Sequence, residues 1–170
     1  MKKLLTLSLI LSSLSNPLFA QANYSLETLK TLKSAPEAQV EQRLVEDSFI
    51  PAGKLESGDY EYVNLGTSDG LQWEELIKHT ENLGLIYQTS DSLHYSALVA
   101  QLESELKYLG TFDQNQLFGK IEDETYEDSG IDVHLYADKT KNLQAWLFCR
   151  KKETGYRRYD MYVVGLFVYE

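Results

Sequence analysis

The last third of the chain alternates side-chain character with a period of two, which constrains the fold more than any other feature. In 131–138, Ile131, Val133, Leu135 and Ala137 interleave with Asp132, His134, Tyr136 and Asp138. In 143–151, Leu143, Ala145, Leu147 and Cys149 interleave with Gln144, Trp146, Phe148 and Arg150. Successive side chains of a strand point to opposite faces, so each run reads as a strand with two unlike faces. A further run over 158–169 is apolar on both phases, which suits a central strand or one covered on both sides. The connections at 138–142 and 153–155 are short and turn-like, so neighbouring strands should pair antiparallel. Another strand is expected over 116–124, ahead of the turn at 127–130.

Before this stretch comes the clearest helix. Asp91 and Ser92 supply its cap, and Tyr95, Leu98, Val99, Leu102, Leu106 and Leu109 form one apolar stripe. Gly110 is expected to end it. Upstream, Leu83, Leu85, Tyr87 and Thr89 alternate as a strand. The segment 71–79 is read as its hairpin partner, with a helical turn as the alternative because Glu74, Glu75 and Leu76 are not strand formers. A short strand is read around Tyr60 and Tyr62. Leu26, Leu29 and Leu32 have helical spacing, and Pro36 opens a second helix with Val40 and Leu44 on one face. Pro51 and Gly53 close that helical region.

The order is helix, helix, about four short strands, helix, four strands. It predicts an α+β fold with helices packed on one face of antiparallel β-sheet. It also suggests one helix-plus-four-strand unit used twice, over 23–90 and 91–170. Ala38-x-Val40 ahead of Phe49-Ile50 is echoed 59 residues later by Ala97-x-Val99 ahead of Tyr108-Leu109.

The first 22 residues have the plan of a cleavable signal peptide. Lys2 and Lys3 make a positive start, an apolar run covers 4–14, Asn16-Pro17 breaks it, and Ala20-Gln21-Ala22 offers small residues for cleavage. The apolar run is about half of what a bilayer-spanning helix needs. A periplasmic or secreted address is expected, with cleavage after Ala22, or after Ala20 as the alternative, and no membrane anchor afterwards. The remaining 148 residues carry 14 basic and 26 acidic groups, a balance of −12. Such a charge repels phosphate backbones and argues against nucleic-acid binding. One cysteine rules out an intrachain disulfide framework, and Cys149 is expected on the buried face of its strand.

Catalytic motifs are missing. His79, His94 and His134 form no zinc-binding pair, and no nucleophile elbow, P-loop or dinucleotide fingerprint occurs. No catalytic residue, metal ligand or cofactor is assigned. His79 and His94 are expected at the surface, and a Cys149–His134 dyad is disfavoured by their strand phases. The acidic cluster at 122–128 lacks the spacing of a calcium loop. It and the basic cluster around Arg150 and Arg158 are read as solvated hairpin tips.

The aromatic and polar phase of the C-terminal strands is the candidate binding surface, because aromatic side chains give large contact area at low entropic cost. His134, Tyr136, Trp146, Phe148 and Arg150 are its candidate residues, and another protein is the expected partner. The competing reading is that the N-terminal half, or loops, cover this face as a second core. The element order resembles small secreted inhibitors and periplasmic binding modules at the level of fold alone. The leader, the acidic charge, the aromatic sheet face and the missing catalytic motifs point to a non-enzymatic protein-binding module of inhibitor, immunity or envelope-accessory type. The alternatives are a small envelope hydrolase using carboxylates, and a self-associating structural protein.

Overall fold

A computed structural model of the chain describes residues 24–64, 73–80, 84–113, 131–154 and 157–169. The leader, the strand expected over 116–124 and the acidic cluster at 122–128 lie outside the described residues. The fold is α+β, and the described residues form three helices and one eight-stranded antiparallel sheet.

Helix α1 (Leu26–Ser34) starts where the Ser25 hydroxyl accepts the Thr28 amide. Helix α2 (Glu37–Glu46) follows directly after Pro36. Four strands come next: β1 (Ile50–Lys54), β2 (Tyr60–Asn64), β3 (Glu74–Lys78) and β4 (Leu85–Thr89). The ambiguous acidic segment is therefore strand. Its hairpin partner is β4, with Leu76 opposite Tyr87.

Helix α3 (Ser92–Glu105) is capped by the Asp91 carboxylate, which accepts the amides of Leu93 and His94. It ends one residue before Leu106, not at Gly110. Strand β5 (Lys107–Asp113) begins at once, and Gly110 sits inside it at a register break. Leu98, Leu102 and Leu106 are buried, whereas Leu109 belongs to the strand and is exposed. Strands β6 (Asp132–Asp138), β7 (Leu143–Thr154) and β8 (Arg157–Phe167) complete the chain.

The strand order is β1-β2-β3-β4-β8-β7-β6-β5. Each half supplies a four-stranded meander, and the two meanders join through their last strands, Tyr87 facing Val164. Strand β8 is central, as its two apolar phases imply. Among the described strands, β1 and β5 stand at the two ends of the order.

All three helices contribute to one core, on one face of the sheet. Leu26, Leu29, Val40, Leu44, Leu98 and Leu102 pack there against Tyr62, Leu76, Leu85, Tyr87, Ala145, Leu147, Val164 and Leu166. Full burial of one such leucine stabilises by roughly 1.5–3 kcal/mol. Lys78 on β3 points into the same layer, and its ammonium donates to the carbonyls of Leu32 and Lys33. It thereby adds a donor to the last carbonyls of α1, where Leu32 also accepts the Ala35 amide at 3.3 Å.

Candidate functional site

Cross-strand pairing decides which side chains share a face. Trp146 stands opposite Leu135 on one side and Gly165 on the other, and Phe148 stands opposite Val163. These residues belong to the face opposite the helices. Tyr136 stands opposite Ala145 and His134 opposite Leu147, so both belong to the helix face. The five candidate residues therefore divide: Trp146, Phe148 and Arg150 come together, and His134 and Tyr136 do not join them. The cause is register. The aliphatic phase of β6 lies back to back with the aliphatic phase of β7, a relation that alternation within single strands cannot reveal.

On the helix face, the Tyr136 hydroxyl donates to Glu103 Oε1 at 3.2 Å, and its ring lies 5.1 Å from that of Tyr108. Burial, with the Glu103 carboxylate adding to it, raises the pKa of this phenol. His134 is exposed near the β5 edge, with Nδ1 3.1 Å from Thr111 Oγ1. Cys149 also has the helix-face phase but is exposed, contrary to expectation. Phase sets the direction of its thiol, while burial requires a helix overhead.

The opposite face carries a half-exposed aromatic group. The Trp146 and Phe167 ring centroids are 4.1 Å apart. Phe167 rests on two glycines: a Cβ at Gly84 or at Gly165 would come within 2.7 Å of its ring. Beside this pair a polar chain crosses four strands. Arg150 Nε reaches over β8 and donates to Gln88 Oε1 at 2.9 Å. Gln88 Nε2 donates to Glu75 Oε1 at 3.0 Å, and Trp73 Nε1 donates to Glu75 Oε2 at 3.3 Å. Gln88 and Glu75 are buried. Sequence reasoning missed Trp73, Glu75 and Gln88 as neighbours of Arg150. Only the junction of β4 with β8 brings them together, and no local pattern encodes that junction.

A second polar group sits inside the helix-side core. Glu74 accepts hydrogen bonds from the Tyr87 hydroxyl and from Asn64 Nδ2, the latter at 3.3 Å. Burial pushes its carboxyl up to about 7, against the lowering effect of the Tyr87 bond and with help from Asp91 and Asp47. His94 Nδ1 lies 3.2 Å from the Tyr87 hydroxyl, and its Nε2 lies 2.9 Å from the Tyr24 carbonyl. His94 is thus a core histidine and not the surface residue expected. His79 is also partly covered, with Nδ1 2.9 Å from Asp59. An open depression of about 340 Å³ adjoins His94, lined in part by Tyr24, Asp91 and Gln101. Its polar groups have structural partners: Asp91 caps α3, and Gln101 Oε1 accepts the Leu26 amide at 2.8 Å.

Comparison with known proteins finds no matching family model, no similar curated protein and no similar solved structure.

Proposed function

We propose that this chain is a secreted or periplasmic protein-binding module without enzymatic activity, of inhibitor, immunity or envelope-accessory type, and that it binds through the sheet face opposite its helices. One observation carries the reading. All three helices pack on one face, and on the other Trp146, Phe148, Phe167 and Arg150 lie together at intermediate exposure. Rigid aromatic rings beside an arginine are the composition of interface hot spots. The buried Gln88–Glu75 pair holds the Arg150 guanidinium in place, so less entropy is lost when a partner docks.

The test is capture of a partner from cell-envelope extract with protein starting at Asn23, followed by titration of the purified partner. Trp146→Ala should weaken binding at least tenfold while leaving cooperative unfolding intact. Unchanged affinity sinks the assignment of this face. Unfolding of the variant would make the face a second core.

A further inference from the structure

We propose that Glu74, Tyr87 and His94 form a one-proton relay in the core, and that its protonation governs how firmly Tyr24 is held. The inference follows from counting protons. The group makes three contacts in series: Glu74 to Tyr87, Tyr87 to His94, and His94 to the Tyr24 carbonyl. Each contact needs one hydrogen between its two heavy atoms. A carbonyl only accepts, so His94 Nε2 must carry hydrogen.

Two arrangements then satisfy all three contacts. In one, His94 is an imidazolium, its Nδ1–H donates to the Tyr87 oxygen, and the Tyr87 hydroxyl donates to the Glu74 carboxylate. In the other, Glu74 is protonated and donates to Tyr87, whose hydroxyl donates to a neutral Nδ1. The two have the same number of protons and the same net charge. They interconvert by passing one proton through the Tyr87 hydroxyl.

Loss of that proton leaves two hydrogens for three contacts. Either the Tyr87–His94 contact fails, or the imidazole changes tautomer and releases the Tyr24 carbonyl. A fourth proton displaces the Tyr87 hydroxyl hydrogen from Glu74 and His94 and turns it toward Thr89, another hydrogen-bond partner of Tyr87. The folded state therefore favours a single shared proton.

The surroundings help retain it. Glu74 is fully buried, and the groups facing it are Asn64 from β2, Tyr87 and Thr89 from β4, Asp47 after α2, Asp91 before α3, and Tyr24. Asp47 and Asp91 disfavour a further negative charge at Glu74. Asp47 is itself paired with Arg43 at 2.8 Å, and Tyr24 donates to the same carboxylate at 3.0 Å.

Tyr24 matters because it fixes the first described turn of the chain. Its ring packs against Tyr87 and Phe49, with centroids 5.7 and 5.8 Å away, and α1 begins two residues later. A weakened Tyr24 contact at alkaline pH would therefore loosen the anchor of α1.

Two measurements on the full-length chain test the relay. Ring nitrogen-15 spectra of the native protein should show His94 Nε2 protonated throughout the range where the protein is folded at neutral pH and below. In urea unfolding from pH 5 to 9, the unfolding constant should change little up to about pH 6, where an unfolded histidine still holds its proton, and rise with pH above it. The slope should approach tenfold per pH unit wherever the folded relay keeps a proton that the unfolded chain has lost. Glu74→Gln should remove this slope, because the carboxamide supplies an N–H to Tyr87 permanently while still accepting from Asn64. The same slope in both proteins, or a neutral His94 ring with hydrogen on Nδ1 alone, overturns the proposal. If Glu74→Gln does not fold, the native protein decides: an unfolding constant that stays flat from pH 7 to 9 overturns the proposal.

Discussion

Gly53 and Gly110 occupy equivalent places in the two halves of the sheet. Each lies in an outer strand, β1 or β5, at the point where the register with the next strand breaks. Their φ angles are +136° and +144°. The offset is 110 − 53 = 57 residues, and the buried Phe49 and Leu106 share it. The outer strands thus match at an offset of 57, whereas the Ala-x-Val echo runs at 59. A bulge in each outer strand also interrupts the flat ladder that edge-to-edge pairing needs.

Gly53→Ala and Gly110→Ala should each lower stability by about 1–2 kcal/mol, the cost of forcing an L side chain into this backbone region. Packing should contribute little. A Cβ at Gly53 would meet nothing within 4 Å, and one at Gly110 only the Phe112 ring at 3.5 Å. Thermal unfolding of the two variants checks this, and native-like melting of both would show that the bulges tolerate side chains.

Gly165→Ala tests the floor beneath Phe167. The added methyl would lie 2.7 Å from that ring, so the ring must move and disturb Trp146 against it. Overpacking of this kind costs about 1–3 kcal/mol. Trp146 emission, read in a Trp73→Phe background, should change while the far-ultraviolet dichroism stays native. An unchanged spectrum would mean that Phe167 is not held by its glycine floor.

The leucine stripe of α3 and the alternation of β6, β7 and β8 are local, and the sequence displays them. The strand β3 is legible despite Glu74 and Glu75, because its partner β4 alternates cleanly. What is not local could not be read. Pairing of Tyr136 with Ala145 places the two aromatic phases on opposite sides of the sheet. Gly110 looks like a helix stop, yet its positive φ serves a bulge equally well. His94 lies four residues before Leu98 on the buried side of α3, a placement that a polar residue conceals. Of the candidate site, Trp146, Phe148 and Arg150 were visible through alternation, whereas Gln88 and Glu75 depend on β4 lying beside β8.

Lys78→Met should destabilise the fold by about 1–3 kcal/mol, since the buried Lys33 carbonyl loses the ammonium and the Leu32 carbonyl is left with the Ala35 amide at 3.3 Å. The pH dependence has a definite sign. Burial, followed by the nearby Lys33 charge, holds the Lys78 ammonium below the usual lysine range. The folded chain therefore binds fewer protons than the unfolded chain as pH nears 10.5, and this group's contribution to stability rises with pH there. The methionine variant should lack that rise. Urea unfolding at pH 7 and pH 10 measures both effects, and equal stability of the two proteins at pH 7 would remove Lys78 as a helix cap.

Asp59→Asn should cost about 1–3 kcal/mol at neutral pH, because the carboxylate accepts three hydrogen bonds at once. They come from Ser57 Oγ at 2.8 Å, the Thr80 amide at 3.0 Å and His79 Nδ1 at 2.9 Å. An asparagine oxygen carries no charge, and its amide nitrogen would face donors. Burial alone would raise the Asp59 pKa, but the bonds from Ser57 and Thr80, with the His79 interaction, outweigh it and hold the carboxyl below its usual range. A depressed carboxyl stabilises the fold above its unfolded value near 3.8 and loses that contribution as pH falls through the folded value. The difference between native protein and variant should therefore be full at pH 6 and shrink below about pH 4. Chemical unfolding at pH 6, 4 and 3 would follow it. A difference independent of pH would mean that the side chain acts through shape and not through its charge.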